Sequence, residues 1–269
     1  YGYLNLEEMR SFNEENISKL MDRSSVCINL IGILYEKKKN HFNLIHTDLP
    51  SMLSKIAQKK SLKQFIHLSA LGIETSNDSK YALSKLNGEN KVRQNFSKSV
   101  ILKPSIVYSV DDNFTTNFMG LLGLLPIMPL YYSGKTKFTP IHVSDLSNII
   151  FEVVQQEITN ETIECIGPEV LTFKEIISKI LKSIDKKRFL FNMPLPLAKI
   201  SAKLFQLMPK PLLTMDQLKL LKYDNVVSNK YKTNFDLKME ANKYFDDEIN
   251  RYSFNWTSGG QFSKKKKIK

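Results

Sequence analysis

The sequence predicts an α/β protein: a doubly wound parallel sheet covered by helices, with a smaller, mainly helical region toward the carboxyl end. Three observations carry that prediction. Short apolar runs at Val26–Leu34, Phe65–Leu68 and Val100–Tyr108, bounded by turn residues, read as buried strands. Helical patterns separate them, from Phe42 to Lys59 and behind Asp78 and Ser79. Strand–helix–strand alternation implies right-handed crossovers, and in such sheets ligands bind at the carboxyl ends of the strands.

Composition narrows the function classes. The chain has 269 residues, 42% hydrophobic and 25% charged, with a net charge of +12 and a pI near 9.4. That excess asks for an anionic neighbour: a dinucleotide, acidic lipid headgroups, an acidic subunit or nucleic acid. Nucleic acid is disfavoured, because there is no zinc-type spacing, no RNP-like aromatic pattern and no basic helix with heptads. Two distant cysteines, Cys27 and Cys165, suggest neither a disulfide framework nor a metal site. No run of 18 apolar residues and no signal peptide is seen, so a reducing, cytoplasmic setting is expected.

Taken in order, Asn13 caps a short helix to Met21, with Glu14 and Glu15 in its first turn. Val26–Leu34 reads as a continuously apolar strand covered on both faces. In the 42–59 helix, Asp48 and Pro50 suggest a restart or kink. After Phe65–Leu68, Asp78 or Ser79 caps a helix in which Gly88 costs about 1 kcal/mol against alanine unless close packing offsets it. Glycines and prolines interrupt the apolar stretch Phe114–Tyr132. Thr139–Val143 returns as a strand, and Ser144 caps a helix over Asp145–Gln156. His142 and Asp145 read as junction residues, and His41, His46 and His67 as structural.

Farther on, Thr172 caps a helix with Phe173, Ile176, Ile177 and Ile180 on one face. Within 189–213, Leu197, Ile200, Leu204 and Leu207 make an apolar stripe beside Lys199, Lys203 and Lys210. The stripe is expected to pack on the small region's other helices, although a basic amphipathic helix can also lie on a membrane or a partner. Phe245, Ile249 and Tyr252 suggest a last helix before the lysine run Lys264–Lys267.

The chemistry concentrates at Ser69, Tyr81 and Lys85. Tyr81 and Lys85 are four apart, so one helix face presents both. An ammonium within about 4–6 Å would pull the phenol down from its usual pKa of about 10 toward the working range. Ser69, at the end of a strand, could hydrogen-bond the reacting oxygen. The three make a proton relay suited to hydride transfer from a nicotinamide. The strand ends at Asn29–Gly32, Ser69–Leu71 and Pro104–Ile106 should line the crevice beside it.

These residues together resemble the active-site half of an extended or atypical short-chain dehydrogenase/reductase, in the wider NAD-dependent epimerase/dehydratase class. The segments NLIGILYE (29–36), FIHLSALG (65–72), YALSK (81–85), LKPSIVYS (102–109), FTPIHVSDL (138–146), IGPEVLTFKEI (166–176) and LLTMDQLKLLKYDNVVS (212–228) are similar to one branch of it. That branch holds the NAD(P)-binding accessory subunit of respiratory complex I and its bacterial relatives, and the similarity runs from about Asn29 to about Asp236. It implies a Rossmann-type domain over 1–160, with 114–137 contributing to a small helical domain at 161–252 and a basic tail at 253–269. The first βαβ unit is expected to be largely missing, because the sequence contains no glycine-rich G-x-x-G-x-x-G turn. The resemblance implies Ser69, Tyr81 and Lys85 as catalytic residues and NADP, or else NAD, as cofactor. The cofactor would be held by Asn29, Leu30, Gly32, Ser69, Tyr81, Lys85, Pro104, Ser105 and Ile106, and no metal is expected. It further implies an accessory or assembly role in a membrane-bound complex or in ubiquinone-linked metabolism, peripheral on the inner face of the respiratory membrane; contact with a membrane surface through 189–213 is the alternative that the basic amphipathic pattern itself leaves open. The alternative is an active NAD(P)-dependent oxidoreductase, epimerase or dehydratase using the same three residues.

Overall fold

The structure is a computed structural model that describes residues 4–9, 11–208, 211–257 and 259–260. Five parallel strands form the main sheet in the order Val26–Asn29, Gln64–Leu68, Val100–Pro104, Thr162–Cys165 and Lys232–Thr233. Side-chain alternation splits the apolar strand residues between two cores. Phe65 and Ile101 face the helices that carry Ile17, Leu53, Ile56 and Val92. Ile66, Val100, Leu102 and Ile163 face the other side, where Leu146, Ile149 and Val153 cover them. The α/β, doubly wound prediction holds.

The elements depart from the expected bounds where local chemistry decides. Asn13 caps Glu14–Met21 as anticipated, accepting from the Asn16 N–H at 2.8 Å. The first strand stops at Asn29 instead of Leu34, and among the described strands it has one neighbour. Ile28, Leu30, Ile31 and Leu34 are exposed, so the expected cover on both faces is not provided by the described residues. The third strand breaks after Pro104; Val107–Tyr108 pairs instead with Ile141–His142. His142, not Ser144, caps the following helix, Val143–Gln155, by accepting from the Ser144 N–H. Thr172 and Glu175 close a full capping box on Phe173–Ser183.

The kink foreseen near Pro50 is a π-helical turn at Leu44–Asp48 between two α-helical pieces. Proline has no N–H to give the carbonyl four residues back, which is that of His46. That carbonyl lies instead against Gly88 of the Lys80–Asn95 helix, where an added Cβ would sit 1.8 Å from the His46 oxygen. Gly88 is therefore the close-packing point suspected from the sequence.

A third core, away from the main sheet, joins Met119, Leu122 and Met128 with Phe173, Ile176, Ile180, Phe245 and Ile249. The sheet reaches past the expected boundary at 160, because Thr162–Cys165 and Lys232–Thr233 belong to it. One expectation is reversed. The helix Leu195–Phe205 buries Ala198 and Ala202, while Leu197, Ile200, Leu204 and Leu207 face outward. The Lys264–Lys267 run lies outside the described residues.

Candidate functional site

The strand ends come together as the topology requires. The Ser69 N–H donates to the Leu102 carbonyl and the Leu71 N–H to that of Pro104, so 69–71 and 104–106 lie side by side. The Lys80–Asn95 helix crosses above them. Ser79 caps it by accepting from the Ala82 N–H at 3.2 Å. A second acceptor comes from far along the chain: Asp216 takes hydrogen bonds from the Ser79 hydroxyl and the Lys80 and Tyr81 N–H groups at 2.8–3.0 Å. A carboxylate there complements the positive end of the helix dipole.

Lys85 is buried, and its Nζ donates to the Leu68 carbonyl at 3.0 Å. Burial pushes its ammonium down to about 8, with Glu89 opposing that shift and Lys103 adding to it. Gly32 stands over it: a Cβ there would lie 3.5 Å from Lys85 Nζ and 3.8 Å from His46 Nε2. The Tyr81 ring packs edge-on against His46 and Phe42, with centroids 5.2 and 5.8 Å away. Its hydroxyl makes no hydrogen bond to the described residues. Burial raises the phenol to about 12, and no lysine counters it. The expected lowering of Tyr81 by Lys85 is thus not what this geometry produces.

Ser69 is placed at the strand end, yet its hydroxyl donates to the buried Glu89. Glu89 also accepts from Lys103 Nζ at 2.5 Å, and Glu74 lies 2.8 Å from the same ammonium. Lys103 is fully buried, a position a lysine holds only when paired. The serine therefore belongs to a buried ion network beneath the crevice.

The other expected cofactor contacts divide. Asn29 Nδ2 is bonded to His67 Nδ1 at 3.0 Å, and its Oδ1 accepts from the Ile31 N–H. Leu30 and Gly32 are exposed in the loop that follows, and Pro104 is buried in its strand. The Ser105 hydroxyl donates to Asn225 Oδ1 at 2.5 Å and accepts from the Thr139 N–H. Ile106 packs on the core around Met119 and Phe173. Asn225, which also reaches the Leu71 carbonyl at 2.6 Å, had no signal in the sequence beyond its place in a resembling segment. His46 was assigned a structural part, and it has one beside the site. The Ile33 N–H donates to its Nε2 at 3.1 Å, and its Nδ1 meets the Ser84 hydroxyl at 2.9 Å. Burial, then the Lys85 charge, drives its pKa down to about 3.

Tyr81, whose hydroxyl has no partner among the described residues, and Lys85 lie one turn apart on the same helix, and Gly32 sits at contact distance from the Lys85 ammonium. A glycine-rich cradle for the pyrophosphate is not present in this sequence. Two shallow cavities among the described residues lie elsewhere, one beside Ile17, Met21 and Cys27 and one beside Arg93 and Lys232.

No family model matches the chain. It is 25% identical over 228 residues to the mitochondrial NADH dehydrogenase [ubiquinone] 1 alpha subcomplex subunit 9 of Mus musculus, covering 84% of this chain and 60% of that protein. It is also 25% identical, over 230 residues, to the mitochondrial NADH-ubiquinone oxidoreductase 40 kDa subunit of Neurospora crassa, covering 85% of this chain and 60% of that one. The chain thus spans about three fifths of the length of these curated relatives. Among solved structures it resembles the UDP-glucuronic acid 4-epimerase of Bacillus cereus, crystallised with UDP-glucuronic acid and NAD. That likeness has a TM-score of 0.66 at 18% identity and covers 90% of this chain and 80% of the other. By sequence, then, the chain is a distant relative of the NADH–ubiquinone oxidoreductase subunits, built on the Rossmann-type fold of such epimerases.

Proposed function

We propose that the chain is an NAD(P)-binding accessory or assembly subunit of a respiratory NADH–ubiquinone oxidoreductase, or acts in ubiquinone-linked metabolism. It would sit peripherally on the inner face of the membrane, with 189–213 turned toward that surface. No described helix is long and apolar enough to cross a membrane. NADP is preferred to NAD only on the resemblance.

The observation that carries the non-catalytic reading is Ser69. Its proton is committed to Glu89, which is held in turn by the fully buried Lys103. A relay needs that hydroxyl on the reacting oxygen and a phenol that exchanges its proton near neutrality. Here the serine points into an ion network and the phenol stands near 12. Tyr81 and Lys85 then act as ribose ligands, for which no proton transfer is needed.

Tyr81→Phe tests this, because it removes one hydroxyl and keeps the ring. Calorimetric affinity for NADPH should fall by about 0.5–1.5 kcal/mol, the worth of one hydrogen bond. Neither form should turn over a carbonyl or alcohol substrate. Multiple-turnover oxidation of NADPH by a carbonyl or quinone compound, abolished in Tyr81→Phe, would establish the oxidoreductase reading instead. Absence of any NADPH binding would remove the dinucleotide altogether.

A further inference from the structure

We propose that the outward face of the Leu195–Phe205 helix is a docking surface for an anionic lipid bilayer. This deepens the membrane-peripheral part of the reading above and is independent of the dinucleotide site.

A helix on a globular domain ordinarily turns its large apolar side chains inward. This one does the opposite. It rests on its neighbours through Ala198 and Ala202, with Phe205 partly buried, in a small cluster with Tyr131, Leu213 and Leu218. Leu197, Ile200 and Leu204, spaced three and four apart on one face, are 54%, 56% and 62% exposed. Leu207, just beyond the helix, continues the row at 82%.

Charge and composition identify the occupant. Residues 189–213 contain Lys199, Lys203 and Lys210 and no aspartate or glutamate. Lys199 and Lys203 are exposed on the same helix as the apolar row. Protein interfaces are depleted in lysine, and their energetic anchors are tryptophan, tyrosine and arginine, none of which is in this row. Aliphatic residues beside unpaired lysines suit shallow burial at the headgroup boundary, where anionic lipids attract the cations. A second copy of this chain would instead bring the same lysines together.

The test is co-sedimentation of the whole chain with vesicles of phosphatidylcholine alone or with about 30 mol% phosphatidylglycerol. Strong binding is expected only to the anionic vesicles, weakening with salt. Leu197→Ser/Ile200→Ser/Leu204→Ser should lower the partition by about tenfold or more. Lys199→Glu/Lys203→Glu should abolish the anionic preference. All changed residues are exposed, so unaltered thermal melting confirms that each variant folds. Replacing Lys264–Lys267 by serine should leave binding in place, and vesicles should slow amide exchange over 195–208. Equal binding by the leucine-row variant, or loss of binding on changing the Lys264–Lys267 run alone, would overturn the proposal. So would a dimer that the leucine-row substitutions dissociate. Any of those results would leave the NADPH affinities and the effect of Tyr81→Phe unchanged, so the two readings fail separately.

Discussion

A histidine held neutral ties the Gly32 loop to the Tyr81 helix. With Nε2 accepting from Ile33, the ring proton sits on Nδ1 and is donated to the Ser84 hydroxyl, which donates to the Tyr81 carbonyl at 2.8 Å. Protonation would make Nε2 a donor facing another donor, beside the Lys85 charge. The folded-state pKa of about 3 lies below the unfolded 6.5, so the unfolded chain binds more protons between those values. The His46 contribution is therefore complete above pH 6.5 and is lost as pH falls toward 3, by up to roughly 1.4 kcal/mol per unit. Denaturant titrations of His46→Asn should show a flatter acid limb than the parent over that window. Parallel limbs would mean that His46 is not held neutral. Nothing in the sequence distinguished His46 from His41, since its partners lie 13 and 38 residues away.

At the scale of the elements, the crossing of two helices depends on one missing side chain. Gly88 weakens its own helix, yet it admits the His46 carbonyl, to which Pro50 has no N–H to give. Thr47 adds a hydrogen bond from its hydroxyl to the Ser84 carbonyl at 2.9 Å across the same crossing. Gly88→Ala should therefore destabilise, although alanine is the better helix former. The expected loss is about 1–3 kcal/mol or more by chemical denaturation, because backbone cannot yield as a flexible side chain can. A stabilised Gly88→Ala variant would show that the helices do not meet as described. Both residues were visible in the sequence, the proline as a kink and the glycine as a cost. Their meeting was not, since it depends on how two helices pack.

Across the whole molecule, the carboxyl-terminal segments complete the site that earlier residues begin. Asp216 caps the Tyr81 helix from 135 residues away, and Asn225 joins Leu71, Ser105 and Lys137 at the strand ends. Asp216→Ala should cost about 1.5–3 kcal/mol, as expected for hydrogen bonds to a charged group. Amide exchange at Lys80 and Tyr81 should quicken with it, whereas Tyr81→Phe should leave those amides protected. Unchanged exchange in Asp216→Ala would place that end of the helix under Ser79 alone. Such long-range ties run across the division that the sequence places at 160. The sheet takes its last strands from Thr162–Cys165 and Lys232–Thr233, beyond the residues that announce it.

What depends on near neighbours along the chain could be read from the residues alone. Apolar runs and their periods marked the strands and helices, Ser79 and Thr172 marked helix starts, and the four-residue step put Tyr81 and Lys85 on one face. Tertiary structure decided what depends on distant partners and solvent. Burial, not the neighbouring lysine, sets the Tyr81 phenol, and a buried carboxylate 20 residues away accepts the Ser69 hydrogen bond. The direction of the leucine row was likewise open, because periodicity shows that a helix has an apolar face and not which way it turns. Ala198 and Ala202 form the contact with the core, and that contact turns the row toward solvent.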